Sequence, residues 1–265
     1  MLHRHDVESS YVMPRRVDVW CPPFHEAATT RYPVIYMHDG QNLFDPASAF
    51  IGVDWGIGEA MTRLRQESEG LGAMVVGIWN TPLRWREYMP SPPRTNQPPP
   101  WLAPFSEQAG GEPLSDAYLK FIVTELKPVI DATYPSLADR QNTFIMGSSM
   151  GGLISLFALI EYPTVFGGAG CLSTHWPAGE EALVDFLGQR LPQAGQHRLY
   201  FDFGTETLDA AYEPYQCRMD GWLQAAGYQR GRDWLTQKFA GAEHSERAWR
   251  ARVGIPLRFL LNSAS

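Results

Sequence analysis

Cysteine is scarce in this chain. Cys21, Cys171 and Cys217 are scattered over 265 residues, too few and too far apart for a disulfide framework or a metal knuckle, and they fit a reducing compartment. Runs of lysine or arginine are also missing. With a formal net charge of −7 and a pI near 5.5, neither nucleic acid nor an anionic membrane is expected as the main partner. No apolar run approaches the roughly 18 residues of a membrane span, and the stretch from Met1 to Glu8 carries His3, Arg4, His5 and Asp6 where an export signal would be apolar. A soluble, cytoplasmic protein is therefore expected. No internal repeat is visible, and the one biased stretch is rich in proline.

What is present points to a sizeable core. Hydrophobic residues make up 44% of the chain and charged residues 19%, enough for one large α/β domain over residues 1–265. Short apolar runs alternate with helical patterns. Residues 11–20 suit an antiparallel edge strand that stops at Pro22 and Pro23. Residues 32–37 and 73–79 read as strands buried on both faces, with a helix at 54–66 between them. An amphipathic helix is expected from 114 to about 134 with Pro128 as a possible kink, then strands near 142–147, 166–173, 198–203 and 234–239 separated by helices. This order predicts an α/β fold with a mostly parallel central sheet and helices on both faces.

Within that frame, Gly147-Ser148-Ser149-Met150-Gly151 sits where a strand turns into a helix. Only the frame Gly147, Ser149, Gly151 fits the Gly-x-Ser-x-Gly pattern, since reading from Ser148 puts Met146 and Met150 at the glycine positions. A serine in such a strained turn has its hydroxyl pushed outward, and a Cβ two residues away on either side would crowd it. Ser149 is the candidate nucleophile, and the Met150 N–H, opening a helix, is a candidate oxyanion donor.

A serine hydroxyl needs a base, and the base needs an orienting acid. Of the histidines after Ser149, His197 introduces a strand and falls at the wrong edge of the sheet, and His175 has no strand-end acid before it. His244, after the strand at 234–239, is the favoured base. Glu206 and Asp209 both follow the strand at 198–203; Glu206 is preferred as the nearer and longer, with Asp209 then a helix cap. Asp202, inside the strand, reads as structural. The span 80–113, with eight prolines between residues 82 and 104, is expected to form neither helix nor central strand but a wall over the site. Trp85, Tyr88, Trp101 and Phe105 within it, Trp79 before it, and His175 and Trp176 elsewhere are the candidate substrate-binding side chains. His38, Asp39, Asp45 and Asp54 match no metal-ligand spacing, so no metal or organic cofactor is expected.

Three stretches together, His38-Asp39-Gly40-Gln41-Asn42-Leu43-Phe44, Gly147 to Gly152, and His244-Ser245-Glu246, resemble the putative esterase family of α/β hydrolases, which includes esterase D, feruloyl esterases and enterochelin-type siderophore esterases. The resemblance runs from about Val17 to Leu261. It implies an α/β-hydrolase fold, Ser149 as nucleophile, His244 as base, an acid in the loop from Gly204 to Asp209, and a second oxyanion donor at the Gln41 N–H. In relatives the acid often lies three residues after the glycine, here Thr207, so the resemblance leaves Glu206 and Asp209 both open. The implied activity is hydrolysis of a small or carbohydrate-linked ester. Alternatives on the same triad are an S-formylglutathione-type thioesterase or an acyltransferase, and a non-catalytic module would be expected to lack a triad member.

Overall fold

The computed structural model describes residues 1–22, 30–68 and 71–262. Eight strands form one sheet in the order β1-β2-β4-β3-β5-β6-β7-β8: Leu2–Val7, Arg15–Trp20, Val34–His38, Met74–Ile78, Thr143–Ser148, Gly168–Leu172, Arg198–Phe203 and Trp234–Lys238 for β1 to β8. β1 and β2 are antiparallel, and every pairing from β4 through β8 is parallel. The parallel strands β3, β4, β5 and β6 are buried along their whole length, which is why their sequences read as apolar runs rather than as alternation.

One expectation is corrected at the sheet's start. β2 is not the edge, because the polar segment Leu2–Val7 pairs outside it residue for residue, from Leu2 with Trp20 to Val7 with Arg15. Its half-exposed, charged pattern hides it from a search for apolar periodicity, and charge is how an edge strand resists further pairing.

The helices are α1 (Ile57–Glu67), α2 (Arg84–Tyr88), α3 (Leu102–Ala109), α4 (Ser115–Phe121), α5 (Lys127–Thr133), α6 (Met150–Glu161), α7 (Glu180–Gly188), α8 (Glu213–Ala225), α9 (Glu246–Arg252) and α10 (Gly254–Leu261). They divide the core into two layers. One face of the sheet packs Tyr36, Val76 and Ile145 under α4, α6 and α7, and the other packs Ile35, Val75 and Met146 under α1 and α10. α6 is apolar all round, with Met150 through Leu159 buried, because it is covered on every side. α4 and α5 are one helix joined through a π turn at Ile122–Leu126. That turn lies just before Pro128, whose missing N–H and bulky ring disturb the helical ladder.

The proline-rich span is also corrected, since α2 and α3 lie inside it. Arg84–Tyr88 contains no proline, and Pro104 falls in the first turn of α3, where a missing N–H costs nothing. Proline density over the span misled because the prolines cluster between the helices.

Candidate active site

Parallel strands carry their carboxyl ends to one edge, and four neighbours in the sheet deliver the candidate residues there. Ser149 follows β5, Ser173 and His175 follow β6, Asp209 follows β7 and His244 follows β8. Ser149 has φ 59° and ψ −123°, a conformation rare for any residue with a side chain, with strain of about 1–3 kcal/mol. Packing holds it there. Its N–H donates to Leu172 O at 2.9 Å, and its carbonyl accepts from Gly152, Leu153 and His175 N–H at 3.0, 3.3 and 3.1 Å. A Cβ on Gly147 would stand 2.9 Å from the Gly151 carbonyl, so the turn closes only with glycine there. Met150 opens α6, and its N–H is one of the amides a helix leaves without an internal partner.

The loops after β7 and β8 are sewn together. Ala242 O accepts from Thr205 and Glu206 N–H at 3.0 Å each, Gly241 N–H donates to Thr205 Oγ1 at 2.8 Å, and His244 N–H donates to Thr207 Oγ1 at 2.9 Å. A Cβ at Gly204 would collide with Ala242. This stitching sets His244 Nδ1 2.6 Å from Asp209 Oδ1.

The preference for Glu206 is therefore corrected: the carboxylate against His244 is Asp209. Glu206 is extended and exposed, and Thr207, at φ 55°, then swings the chain into the 3₁₀ turn Thr207–Ala211 that returns Asp209 to the interior. Asp209 is 1% exposed. Burial works against its charge, but hydrogen bonds from His244, Ser173 Oγ (2.6 Å) and Gly204 N–H (2.6 Å) outweigh it and hold the carboxyl below its ordinary pKa. An ionised carboxylate only accepts, so His244 donates to it from Nδ1. The His244 ring is wedged edge-on between Trp249, at 5.0 Å, and Tyr212, at 5.7 Å. Ser173, Trp249 and Tyr212 carried no sequence signal as site residues.

His175 is brought to the same place. Its Nδ1 lies 2.6 Å from Tyr212 Oη, and burial, with His244 and Arg84 nearby, lowers its pKa to about 4. It is neutral at physiological pH. Of the aromatic candidates, only Trp85 joins it, edge-on at 5.9 Å and 40% exposed, with Phe105 stacked behind at 6.4 Å. The other four aromatic expectations are corrected, because each has its partners elsewhere: Tyr88, Trp101 and Trp176 are buried, and Trp79 is half-buried with Arg16 over its ring. Trp79 Nε1 donates to Asp18 Oδ2 at 2.9 Å, Trp176 Nε1 donates to Gln216 Oε1 at 3.2 Å, and Trp101 packs on Phe186 and Gly179. Tyr88 is wholly buried against His38 and Tyr118.

On the neighbouring strand β3, Gln41 lies in the 3₁₀ turn Gly40–Asn42 directly after His38 and Asp39. Buried Asp39 is bidentate to Arg84, 2.7 Å to Nε and 2.7 Å to Nη2, and accepts from Asn80 Nδ2 at 2.6 Å. Despite burial, these partners hold the Asp39 carboxyl below its usual pKa. His38 Nδ1 pairs with Tyr118 Oη at 2.8 Å, and full burial lowers its pKa to about 3. Among the described residues, no group of three or more His, Cys, Asp or Glu side chains is placed to hold a metal ion, and no helix is long and apolar enough to cross a membrane.

A family model described as "Putative esterase" matches residues 10–253. The uncharacterised protein YbbA of Bacillus subtilis is 26% identical over 195 residues, 72% of this chain and 68% of its own length. The ferri-bacillibactin esterase BesA of the same organism is 28% identical over 154 residues, covering 55% of this chain and 49% of BesA, so the match spans about half of that protein. Among solved structures, an IroE-like serine hydrolase from Shewanella oneidensis superposes with a TM-score of 0.73 at 20% identity, over 98% of this chain and 80% of that one. The chain belongs to the putative esterase family, has the α/β-hydrolase fold, and is an ester-hydrolysing enzyme.

Proposed function

We propose that the protein is a serine carboxylesterase working through Ser149, His244 and Asp209 on a small or carbohydrate-linked ester. The observation that carries this reading is the 2.6 Å contact of buried Asp209 with His244 Nδ1, at the sheet edge where the strained Ser149 turn also ends. Asp209 fixes the tautomer, so the Nε2 lone pair takes the Ser149 proton as Oγ attacks the ester carbonyl. The carbonyl oxygen becomes an oxyanion, met by the Met150 and Gln41 N–H groups. As the tetrahedral species collapses, the C–O bond to the alcohol breaks and His244 returns the proton to the leaving oxygen. Water then repeats the sequence on the acyl-enzyme, giving the acid and free Ser149. Asp209 stays ionised throughout and stabilises the imidazolium.

The exposed face of Trp85 and the neutral His175 beside it support a substrate with a flat or aromatic part. The Tyr212 hydroxyl is a better donor than acceptor, so His175 Nδ1 accepts from it and Nε2 carries a proton for a substrate oxygen. The protein is expected to hydrolyse short-chain p-nitrophenyl esters, and Ser149→Ala to lower turnover at least about 10³-fold with the fold intact. A folded Ser149→Ala protein with near-native turnover would contradict the reading.

A further inference from the structure

We propose that Arg84 and Asn80, through Asp39, are positioning residues that hold the Gln41 N–H in place to receive the oxyanion. The proposal rests on the reading of Gln41 as an oxyanion donor. The turn carrying Gln41 is otherwise poorly suited to stay put. It is a single 3₁₀ turn of three residues, and it is entered through Asp39 at φ 57° and ψ 47°, the left-handed region that is unfavourable for a residue with a Cβ.

Three contacts from the segment after β4 fix it. Arg84 takes both Asp39 oxygens in a planar fork at 2.7 Å each, so the carboxylate can neither rotate nor translate without breaking two charge-assisted bonds. Asn80 bridges the residues on either side of Gly40: its side-chain amide donates to Asp39 Oδ1 at 2.6 Å and its backbone N–H to Gln41 Oε1 at 3.2 Å. Gly40 itself is pressed onto β4, where a Cβ would lie 2.5 Å from the Gly77 carbonyl carbon. The same carboxylate lies beside the first turn of the nucleophile's helix, where Gly151 has no side chain and a Cβ would stand 3.6 Å from Asp39 Oδ2. The Arg84 guanidinium is itself braced over the Tyr88 ring at 5.0 Å, and the Tyr88 hydroxyl accepts from Asp39 N–H at 3.3 Å.

The test measures Arg84→Ala, Asn80→Ala and Ser149→Ala beside the native enzyme on a p-nitrophenyl ester, with Tm recorded for each. Arg84→Ala is expected to lower kcat about 10- to 100-fold with KM within about twofold, and to weaken a trifluoromethyl ketone, which mimics the oxyanion, by the same factor as kcat/KM. Guanidinium at millimolar concentration is expected to restore part of kcat in Arg84→Ala, which a loss of global stability would not allow. If Arg84→Ala does not fold, Asn80→Ala, which leaves the ion pair in place, is expected to lose about 10-fold in kcat alone. Native kcat in a folded Arg84→Ala, or a rise in KM with kcat unchanged, would overturn the proposal, the latter making Arg84 a substrate contact. Ser149→Ala separates the two ideas: if it is inactive while Arg84→Ala is native, only the clamp fails, and if it is fully active, the esterase reading fails first.

Discussion

Two buried aspartates stand along the same sheet edge, Asp39 after β3 and Asp209 after β7 with β5 and β6 between them, and both carboxyls are held below the usual carboxylate range. Their partners differ. Asp39 faces an arginine, whose charge is permanent, so the pair is fixed at every working pH and suits a role in geometry. Asp209 faces a histidine, whose charge can come and go, so that pair suits a proton cycle. The same side chain, equally buried, is given to architecture or to chemistry by the basicity of its neighbour.

Swapping each carboxylate for its amide should break the likeness in opposite ways. Asp209→Asn is expected to lower kcat about 10⁴-fold with a small change in Tm, because the wrong His244 tautomer is then favoured. Glu206→Gln, a change on an exposed side chain, should leave kcat within about twofold. Asp39→Asn should cost at most about 10²-fold in kcat yet lower stability more than Asp209→Asn does, since it leaves the half-buried Arg84 charge without its carboxylate. Steady-state kinetics with urea unfolding of the three variants checks this; the opposite ranking of Asp209 and Glu206 would return the acid to Glu206.

A smaller effect separates the aromatic residues of the span 80–113. Trp85→Ala should change KM and the ranking of aryl against alkyl esters, because its ring is open at the site. Trp101→Ala should leave that ranking alone and cost about 3–5 kcal/mol of stability, as for other buried aromatics. A substrate panel and melting curves for the pair decide it.

The smallest effect is in the pH dependence of stability. His38 and His175 have folded pKa values of about 3 and about 4, below the roughly 6.5 of an unfolded histidine. As pH falls below about 6.5 the unfolded chain gains protons that the folded one does not, so stability should fall by about 1.4 kcal/mol per pH unit for each histidine down to about pH 4. Asp39 and Asp209, with lowered pKa values, contribute stability that is present above the ordinary carboxylate pKa and is lost only below it as pH falls through their folded values. His38→Gln should therefore reduce the slope of urea stability between about pH 6.5 and 5. An unchanged slope would mean that His38 is not held neutral by the fold.

The parts of this site legible in the sequence were those whose chemistry forces a local pattern. The Ser149 turn demands glycines at fixed spacing because Gly147 and Gly151 touch, so the pattern appears in the chain itself. His244 could be reached by chain order, and the buried strands by their continuous apolar runs. Asp209 could not be told from Glu206, because the choice depends on the positive φ of Thr207, and a threonine does not advertise that conformation. The aromatic residues of the span 80–113 looked alike in sequence, yet only Trp85 has an open face while Trp101 and Tyr88 found interior partners. The Arg84–Asp39–Asn80 contacts join residues 41 to 45 positions apart across two strands, beyond the reach of any local periodicity.

The most direct test is to trap the intermediate. A slowly deacylating aryl ester, quenched in acid and analysed by peptide mass spectrometry, should leave one acyl group per chain on the peptide containing Ser149, and none on Ser149→Ala. Acylation of a different residue, with Ser149→Ala still labelled and still turning over, would contradict the account.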